Sequence, residues 1–409
     1  MLVGLIFSHT CLADEGINFN ETTLTGDWNG KRSEWAGKGI NLDFTHRSDA
    51  VANLDGGIKR GSSWLGYTDA RIRIDLDKLF GADGWVAYTQ YHSELGGKPN
   101  EHYVGSFMGV NNIEVATNTA QFSQLWLEKN MFGDRLSVLA GLYALDSEFY
   151  VTDTSGIFLH PSMGIGTSIA QSGQNGPPIF PMTALSLRVK ATSSDKATYL
   201  QAALLDGVPG NTRNPRGTHV RLDKGDGMLA IVEVGYQPSK RDDAPKGANK
   251  TAIGFWRYST RFDDLLNVDA SGNPVQRQSM GWYLLLERAL STEKNNQANG
   301  LNGFVRLGTA TAGIHQTDWS GSVGVSYTGL LEQRDEDVAA LGFTFTHASD
   351  AYRAISASDS HESMLEATYK YQVAPWISAQ TSLQHIVHPN MDRAIKGAWV
   401  LGVRLEVLF

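Results

Sequence analysis

The feature that most constrains this chain is a two-residue rhythm that recurs along almost its whole length. In "TDARIRIDLD", Ala70, Ile72, Ile74 and Leu76 share one face of an extended strand. Asp69, Arg71, Arg73, Asp75 and Asp77 share the other. In "ALSLRVK", Leu185, Leu187 and Val189 oppose Ser186, Arg188 and Lys190. In "SMLEATYKY", Leu365, Ala367, Tyr369 and Tyr371 oppose Glu366, Thr368 and Lys370. The final stretch, "GAWVLGVRLEVLF", sets Trp399, Leu401, Val403, Leu405, Val407 and Phe409 against Arg404 and Glu406. A charge at the centre of a lipid-facing surface costs about 2–4 kcal/mol. The charged face therefore looks into water, and the apolar face into lipid or a second layer.

Sixteen such segments run from "INLDFTHRSDAV" at residue 40 to "KGAWVLGVRLEVL" at residue 396. Each has the length of a tilted membrane-spanning strand, and the count is even. There is no run of 18 apolar residues, so a spanning helix is excluded and only a closed barrel could cross a bilayer. The connections alternate in kind. The second, fourth and sixth segments are followed by the tight turns "FGADG", "MFGDR" and "SSDKA". The third, fifth and seventh are followed by long stretches at about residues 96–118, 146–181 and 207–227. This is the asymmetry of an outer-membrane barrel, with both chain ends on the short-turn side.

The longest connection carries "LHPSMGIGTSIAQSGQNGPPIFP", more loop than a compact barrel needs, which marks it as functional. Aromatic residues fall near strand ends: Trp85 and Tyr91, Tyr236, Trp256 and Tyr258, Trp319 and Tyr327, Trp399 and Phe409. Two interfacial girdles would give that pattern. Before the first strand, "LTGDWNGKRSEWAGKG" reads as a short helix, with Thr25 or Asp27 as its N-cap and Gly37 or Gly39 as its stop.

Composition supports the same class: 43 glycines and 10% aromatic residues, but only 19% charged residues, suit many strands and turns. A formal charge of −8 with no basic stripe excludes nucleic acid as a partner. Residues 1–13 resemble the remnant of a signal peptide cleaved after Ala13. Cleavage there removes the single cysteine, Cys11, and with it disulfide and thiol chemistry. The expected organisation is a leader over residues 1–13, a periplasmic segment with a short helix over 14–39, and a barrel over 40–409. A soluble β-sandwich with one wet face is disfavoured by the terminal aromatic strand, the even strand count and the loop asymmetry. A solenoid is disfavoured by the lack of a fixed repeat.

Three stretches, "LTGDWNGKRSEWAGKGI", "LWLEKNMFGDRLSVLAGLYALDSEFY" and "EATYKYQVAPWISAQTSLQHIVHPNMDRAIKGAWVLGVRLEVLF", resemble the carbohydrate-selective porins (OprB-like) of Gram-negative outer membranes. The likeness covers essentially the whole mature chain. It implies an all-β protein, a 16-stranded antiparallel transmembrane barrel with a short N-terminal helix and inward-folded extracellular loops. It also implies passive diffusion of monosaccharides such as glucose, and a terminal Phe that serves as the signal for barrel insertion. The alternative is a barrel of the same type with general selectivity, or one favouring sugar acids or amino acids. Small sugars, outer-membrane lipid and lipopolysaccharide are the expected partners, with a monomer and a homotrimer both open.

Catalytic chemistry finds little support. The chain has no Gly-x-Ser-x-Gly elbow, no His-Glu-x-x-His pair, no Cys-x-x-Cys and no phosphate-binding glycine loop. "LDKGDGM" reads as a turn rather than a calcium loop, and His160, His219, His385 and His388 are scattered in or near loops. No cofactor or metal is expected. A passive pore needs only polar groups that replace a sugar's lost water hydrogen bonds, with cations donating and carboxylates accepting. By face, the lumen candidates are Arg71, Arg73, Asp75, Gln124, Trp126, Glu128, Arg188, Glu233, Arg257, Arg306, Glu366, Arg404 and Glu406. The resemblance adds Glu148, Phe149, Tyr150 and Asp153, which open the loop that folds inward. Each lumen charge has a plainer role open to it, bracing the wall or holding a folded loop. Trp126 is equally suited to stack on a sugar or to pack beneath the 146–181 loop.

Overall fold

In the computed structural model, residues 17–238, 249–293, 296 and 299–409 are described. The expected leader lies outside them. Sixteen strands follow one another along the chain. The first eight are β1 (Ile40–Gly57), β2 (Gly61–Asp75), β3 (Trp85–Gly96), β4 (Ala120–Met131), β5 (Leu136–Tyr143), β6 (Ala184–Thr192), β7 (Thr198–Asp206) and β8 (Met228–Tyr236). The rest are β9 (Lys250–Val268), β10 (Pro274–Thr292), β11 (Gly300–Thr309), β12 (Thr317–Thr328), β13 (Val338–Ala348), β14 (His361–Ala374), β15 (Ile377–Val387) and β16 (Lys396–Leu408). Each pairs with its sequence neighbours, and β16 closes antiparallel on β1 from Thr45↔Leu408 to Gly57↔Lys396. Closure leaves no strand edge unpaired, which is the condition for backbone polar groups to survive in hydrocarbon. No helix among the described residues is long and apolar enough to cross a membrane.

The period-two reading of the faces carries through. Val403 is 43% exposed while its neighbour Arg404 is 8% exposed. Leu185, Leu187 and Val189 point outward, with Arg188 buried between them on the inner face. One irregularity shifts the pattern. A bulge opposite Gln90 and Tyr91 places Ser123 and Gln124 both on the inner side, and from there Gln124, Trp126 and Glu128 line the interior. Exposed aromatics ring the barrel near the long loops (Trp64, Tyr91, Phe122, Trp282, Trp319, Trp399) and near the short turns (Phe44, Trp85, Tyr236). Trp256 and Tyr258 are a correction to the expected girdles. They face inward, fully buried in a cluster with Phe149, Tyr150 and Tyr283.

The second strand starts earlier and ends earlier than the segment "TDARIRIDLDKL" suggests. It ends at Asp75, and the carboxylate of Asp75 accepts from the amides of Asp77 (3.1 Å) and Lys78 (3.2 Å). That bond pattern is an N-cap, so residues 76–80 turn into a helix instead of continuing the strand.

The N-terminal segment holds two short helices, α1 (Phe19–Thr22) and α2 (Lys31–Gly37). The first residue before α2 is Gly30, at φ +84, while Asp27 binds the amide and hydroxyl of Ser33, each at 2.7 Å. Gly30 is thus the N-cap, a correction to Thr25 or Asp27, and Asp27 reaches the first turn from outside the cap position. Gly37 ends the helix, and Gly39 follows in the left-handed region at φ +88. Arg32 on α2 donates to the backbone oxygens of Phe409 (2.8 Å) and Leu42 (2.9 Å), with Phe19 and Trp28 packed on its guanidinium. Leu24 N also donates to Leu408 O at 2.8 Å. The segment is therefore latched across the seam where the barrel closes.

Candidate permeation site

The connection between β5 and β6, residues 144–183, does not stand outside the barrel. It folds into the lumen because inward-facing side chains on five separate strands hold its backbone. Glu233 on β8 accepts from Tyr150 N at 3.0 Å. Glu287 on β10 accepts from Asp153 N at 3.2 Å and from Thr154 N. Glu366 on β14 accepts from Leu159 N (2.9 Å) and His160 N (3.1 Å). Arg306 on β11 donates to the carbonyls of Gly164 (2.7 Å) and Ser162 (3.0 Å). Lys250 on β9 donates to Val151 O at 2.7 Å. Carboxylates meet amides and cations meet carbonyls, so the backbone of a loop with little regular structure is held at these points, although Thr154 Oγ1, His160 Nε2 and Thr167 Oγ1 stay buried without a hydrogen-bond partner.

Glu233 is the most heavily used of these groups. It is fully buried and also accepts from the hydroxyls of Tyr199 and Tyr283, both at 2.6 Å, and from Gln201 Nε2 at 3.2 Å. Two glycines permit this. The Tyr199 ring lies over Gly235 and the Tyr283 ring over Gly254, where an added Cβ would come within 2.3 Å and 2.0 Å of ring atoms. Only a residue without Cβ lets each ring lie flat enough to reach the carboxylate.

The connection between β3 and β4, residues 97–119, is drawn in from the other side. Glu362 accepts from Ser106 Oγ (2.6 Å), Phe107 N (2.9 Å) and Met108 N (3.0 Å). Arg404 donates to both oxygens of Asp49 (2.8 and 2.7 Å) and to Asn112 Oδ1 (2.6 Å). Asn111 Nδ2 reaches the same Asp49 at 2.6 Å. The two loops meet where Asn112 N donates to Leu159 O at 2.8 Å. Within this loop Glu114 is pushed up to about 7 by burial, against the opposing pull of the Asn100 amide. In the longer loop, burial holds His160 down at about 3, and its Nδ1 accepts from Ser162 N at 3.3 Å.

The wall from β16 through β1 to β6 retains polar groups that the loops leave partly uncovered. Arg71 pairs with Asp69 at 2.5 Å, and Arg47 and Lys370 both pair with Glu406, the latter at 3.2 Å. Arg188 bridges Glu128 and Glu148, each at 2.8 Å, and Lys190 reaches Glu148 at 3.4 Å. Tyr88 and Trp126 stack at 4.7 Å between ring centroids, and Trp126 also packs against the cluster beneath the long loop. Arg73 has no ion pair among the described residues. Cationic and carboxylate groups thus pair along the inner side of this wall, with an aromatic stack among them.

The expected residues divide by what surrounds them. Arg71, Arg73, Trp126, Glu148 and Glu406 lie along the partly open wall, and Asp153 is exposed where the long loop crosses the lumen. Gln124, Glu128 and Arg188 are buried in the wall itself, with Gln124 Nε2 donating to Gln90 Oε1 at 2.7 Å. Glu233, Arg306, Glu366 and Arg404 face the lumen but are buried beneath the loops they hold. Phe149 and Tyr150 are buried in the cluster under the loop rather than lining the passage. Asp75 is drawn into its helix cap. Arg257 is a clear correction: it faces outward from β9, beside Phe255 and opposite the buried Trp256 and Tyr258.

Several holding residues were not singled out from the sequence. Asp49 and Arg47 share the odd-numbered face of "DFTHRSD", a visible signal. Glu287 sits in "YLLLERAL", where leucines on both faces conceal the alternation. "LDKGDGM" is a turn, with Asp223 N donating to Asp226 Oδ2 at 2.8 Å. Among the described residues no group of three or more His, Cys, Asp or Glu side chains is placed to hold a metal ion.

Comparison with known proteins adds four findings. The family model "Carbohydrate-selective porin, OprB family" matches residues 59–409. Porin B of Pseudomonas aeruginosa is 23% identical, over 97% of this chain and 93% of that one. The putative porin QuiX of Acinetobacter baylyi is 20% identical, over 98% and 96%. The high-pH structure of Pseudomonas putida OprB superposes with a TM-score of 0.84 at 18% identity, covering 97% of this chain and 100% of that one, a likeness of fold.

Proposed function

As the chain belongs to the carbohydrate-selective OprB porins of the outer membrane, we propose that it passes monosaccharides of the glucose type by passive diffusion. The observation that carries this reading is the partly open wall. Arg71, Glu148, Lys190 and Glu406 offer donors and acceptors at successive positions, and the Tyr88–Trp126 stack offers an apolar face. A neutral sugar moving past them exchanges its water hydrogen bonds for protein ones without meeting a deep well, as passage requires. The two inward loops restrict the width, and their polar backbone is already held by the wall. They therefore narrow the passage without competing for the solute.

A second reading rests on Arg73. A lumen-facing guanidinium with no carboxylate partner among the described residues favours solutes that bring their own negative charge, such as sugar acids. Planar-bilayer recording separates the two. Purified protein is expected to give discrete conductance steps that glucose partly blocks, with gluconate blocking less. Stronger block by gluconate, lost in Arg73→Ala, would establish the second reading. Steps insensitive to both solutes would remove sugar selectivity and leave a general pore.

A further inference from the structure

Arg257 was expected in water inside the barrel, and the structure turns it to the other solvent. It follows Ile253 and Phe255 on the outward face of β9, and Arg261 comes four residues later on the same face. In the strand register Arg257 lies against Met280, and Arg261 against Gln278. The outward side chains around them, Phe255 and Trp282 on the barrel side and Met280 and Met228 alongside, are all exposed. Trp282 belongs to the aromatic ring at the long-loop end, so the two arginines begin where hydrocarbon gives way to headgroups.

The charge around this pair is unbalanced. Arg257 Nη2 donates to Gln278 Oε1 at 2.8 Å, a neutral acceptor. Asp263, exposed two residues beyond Arg261, keeps its charge and takes only a neutral hydrogen bond from Gln276, while Asp264 is buried on the inner side and pairs with Arg277. The loop over residues 207–227 ends against this strand, where Met228 N donates to Ser259 Oγ at 2.8 Å. The end of that loop exposes Lys224, with Asp226 in its turn and Asp223 paired to Arg221 at 2.6 Å, whereas its middle lies over β4, where Gly217 N donates to Thr119 Oγ1. At this part of the rim Arg257, Arg261 and Lys224 therefore stand against Asp226 and Asp263, a small basic excess with the two arginines foremost toward lipid.

We propose that Arg257 and Arg261 form a clamp for the phosphate groups of lipopolysaccharide in the outer leaflet. Its acyl chains would lie on Phe255, Met280 and Trp282. Two guanidinium forks four residues apart on one strand face match phosphates presented at a membrane surface, where each such cation adds about 1 kcal/mol. A central lipid position would expel these charges, and a headgroup position rewards them.

The test is lipid binding by the purified full-length protein in detergent. The wild type and an R257A/R261A double variant are titrated with lipopolysaccharide, phosphatase-treated lipopolysaccharide and phosphatidylglycerol. Wild-type affinity for intact lipopolysaccharide is expected to fall about thirtyfold in the double variant, which is about 2 kcal/mol at 1.4 kcal/mol per tenfold. Phosphate removal should have a similar effect, and Arg288→Ala, outward-facing at the opposite end, should have none. Should the alanine pair fail to fold, R257K/R261K keeps the charge but loses the fork, with a severalfold loss expected. Undiminished binding in whichever variant folds, or equal affinity for phosphatidylglycerol, overturns the clamp. Conductance and sugar block measured on the same samples report the pore separately, so failure of the clamp and failure of the sugar reading are distinct results.

Discussion

Replacing Glu233 by alanine should unfasten the inward loop while leaving the barrel closed. Its carboxylate accepts from Tyr150 N, Gln201 Nε2 and the hydroxyls of Tyr199 and Tyr283, with Lys250 Nζ at 3.6 Å. Hydrogen bonds to a charged group contribute about 1.5–3 kcal/mol each, but they do not sum here. Water can enter from the lumen to meet the two hydroxyls, whereas the Tyr150 amide and the Lys250 ammonium lose a buried partner. The net cost is then about 3–5 kcal/mol, as for breaking a buried charged pair. That cost falls on the start of the loop, since residues 153–164 remain held by Glu287, Glu366 and Arg306.

Glu233→Gln is the informative partner variant. Its amide oxygen can stay toward Tyr150 N while its NH2 faces Tyr199, whose hydroxyl can rotate to accept. The Gln201 NH2 cannot adapt as freely, because it also donates to Glu148 O at 3.1 Å. A loss of about 1–2 kcal/mol follows. In planar bilayers the expected order of conductance is alanine above glutamine above wild type. Discrimination between a hexose and a disaccharide should fall in the same order, with heat-modifiable gel mobility retained by all three. Unchanged conductance and discrimination in the alanine variant would refute the role given to the wall carboxylates.

Three further outcomes are expected. Gly254→Ala places a Cβ within 2.0 Å of the Tyr283 ring, so overpacking should cost about 1–3 kcal/mol and show as a lower unfolding midpoint in urea. Arg32→Ala removes the bonds from α2 to Phe409 O and Leu42 O. A stability loss of about 2–3 kcal/mol is expected, with faster exchange of the Leu408 and Phe409 amides. Glu114, at about 7 in the folded loop against an ordinary value near 4.5, binds its proton more tightly folded than unfolded. The stability of the 97–119 loop should therefore decline as pH rises from about 4.5 through 7, read by hydrogen exchange at Asn100. Glu114→Gln should flatten that dependence.

Much of the barrel was legible because a strand between two solvents must alternate. The face of Arg404, the position of Glu366 and the short-turn, long-loop asymmetry all follow from that single requirement. Where the interior is not water, the same logic misleads. In "KTAIGFWRYSTRF" the inward residues are Ala252, Gly254, Trp256 and Tyr258, because this part of the lumen is filled by the aromatic cluster under the loop. Trp256 and Tyr258 therefore looked like girdle residues, and Arg257 between them looked like a pore charge. Likewise, facing inward was read correctly for Glu233 and Arg306, but not that a loop would cover them. The path of a 40-residue loop is set by tertiary contacts at separations such as Tyr150 to Glu233, which no local pattern records. Asp75 was misplaced for a local reason, since its side chain could serve as a strand residue or as a helix cap, and the cap won.

The most direct test is liposome swelling with wild-type protein over solutes graded by size and charge. Fast entry of glucose-type monosaccharides, slow entry of disaccharides and an intermediate rate for gluconate are expected from two wall-held loops narrowing a polar passage. Equal rates for monosaccharides and disaccharides would contradict that arrangement, whatever the barrel's conductance.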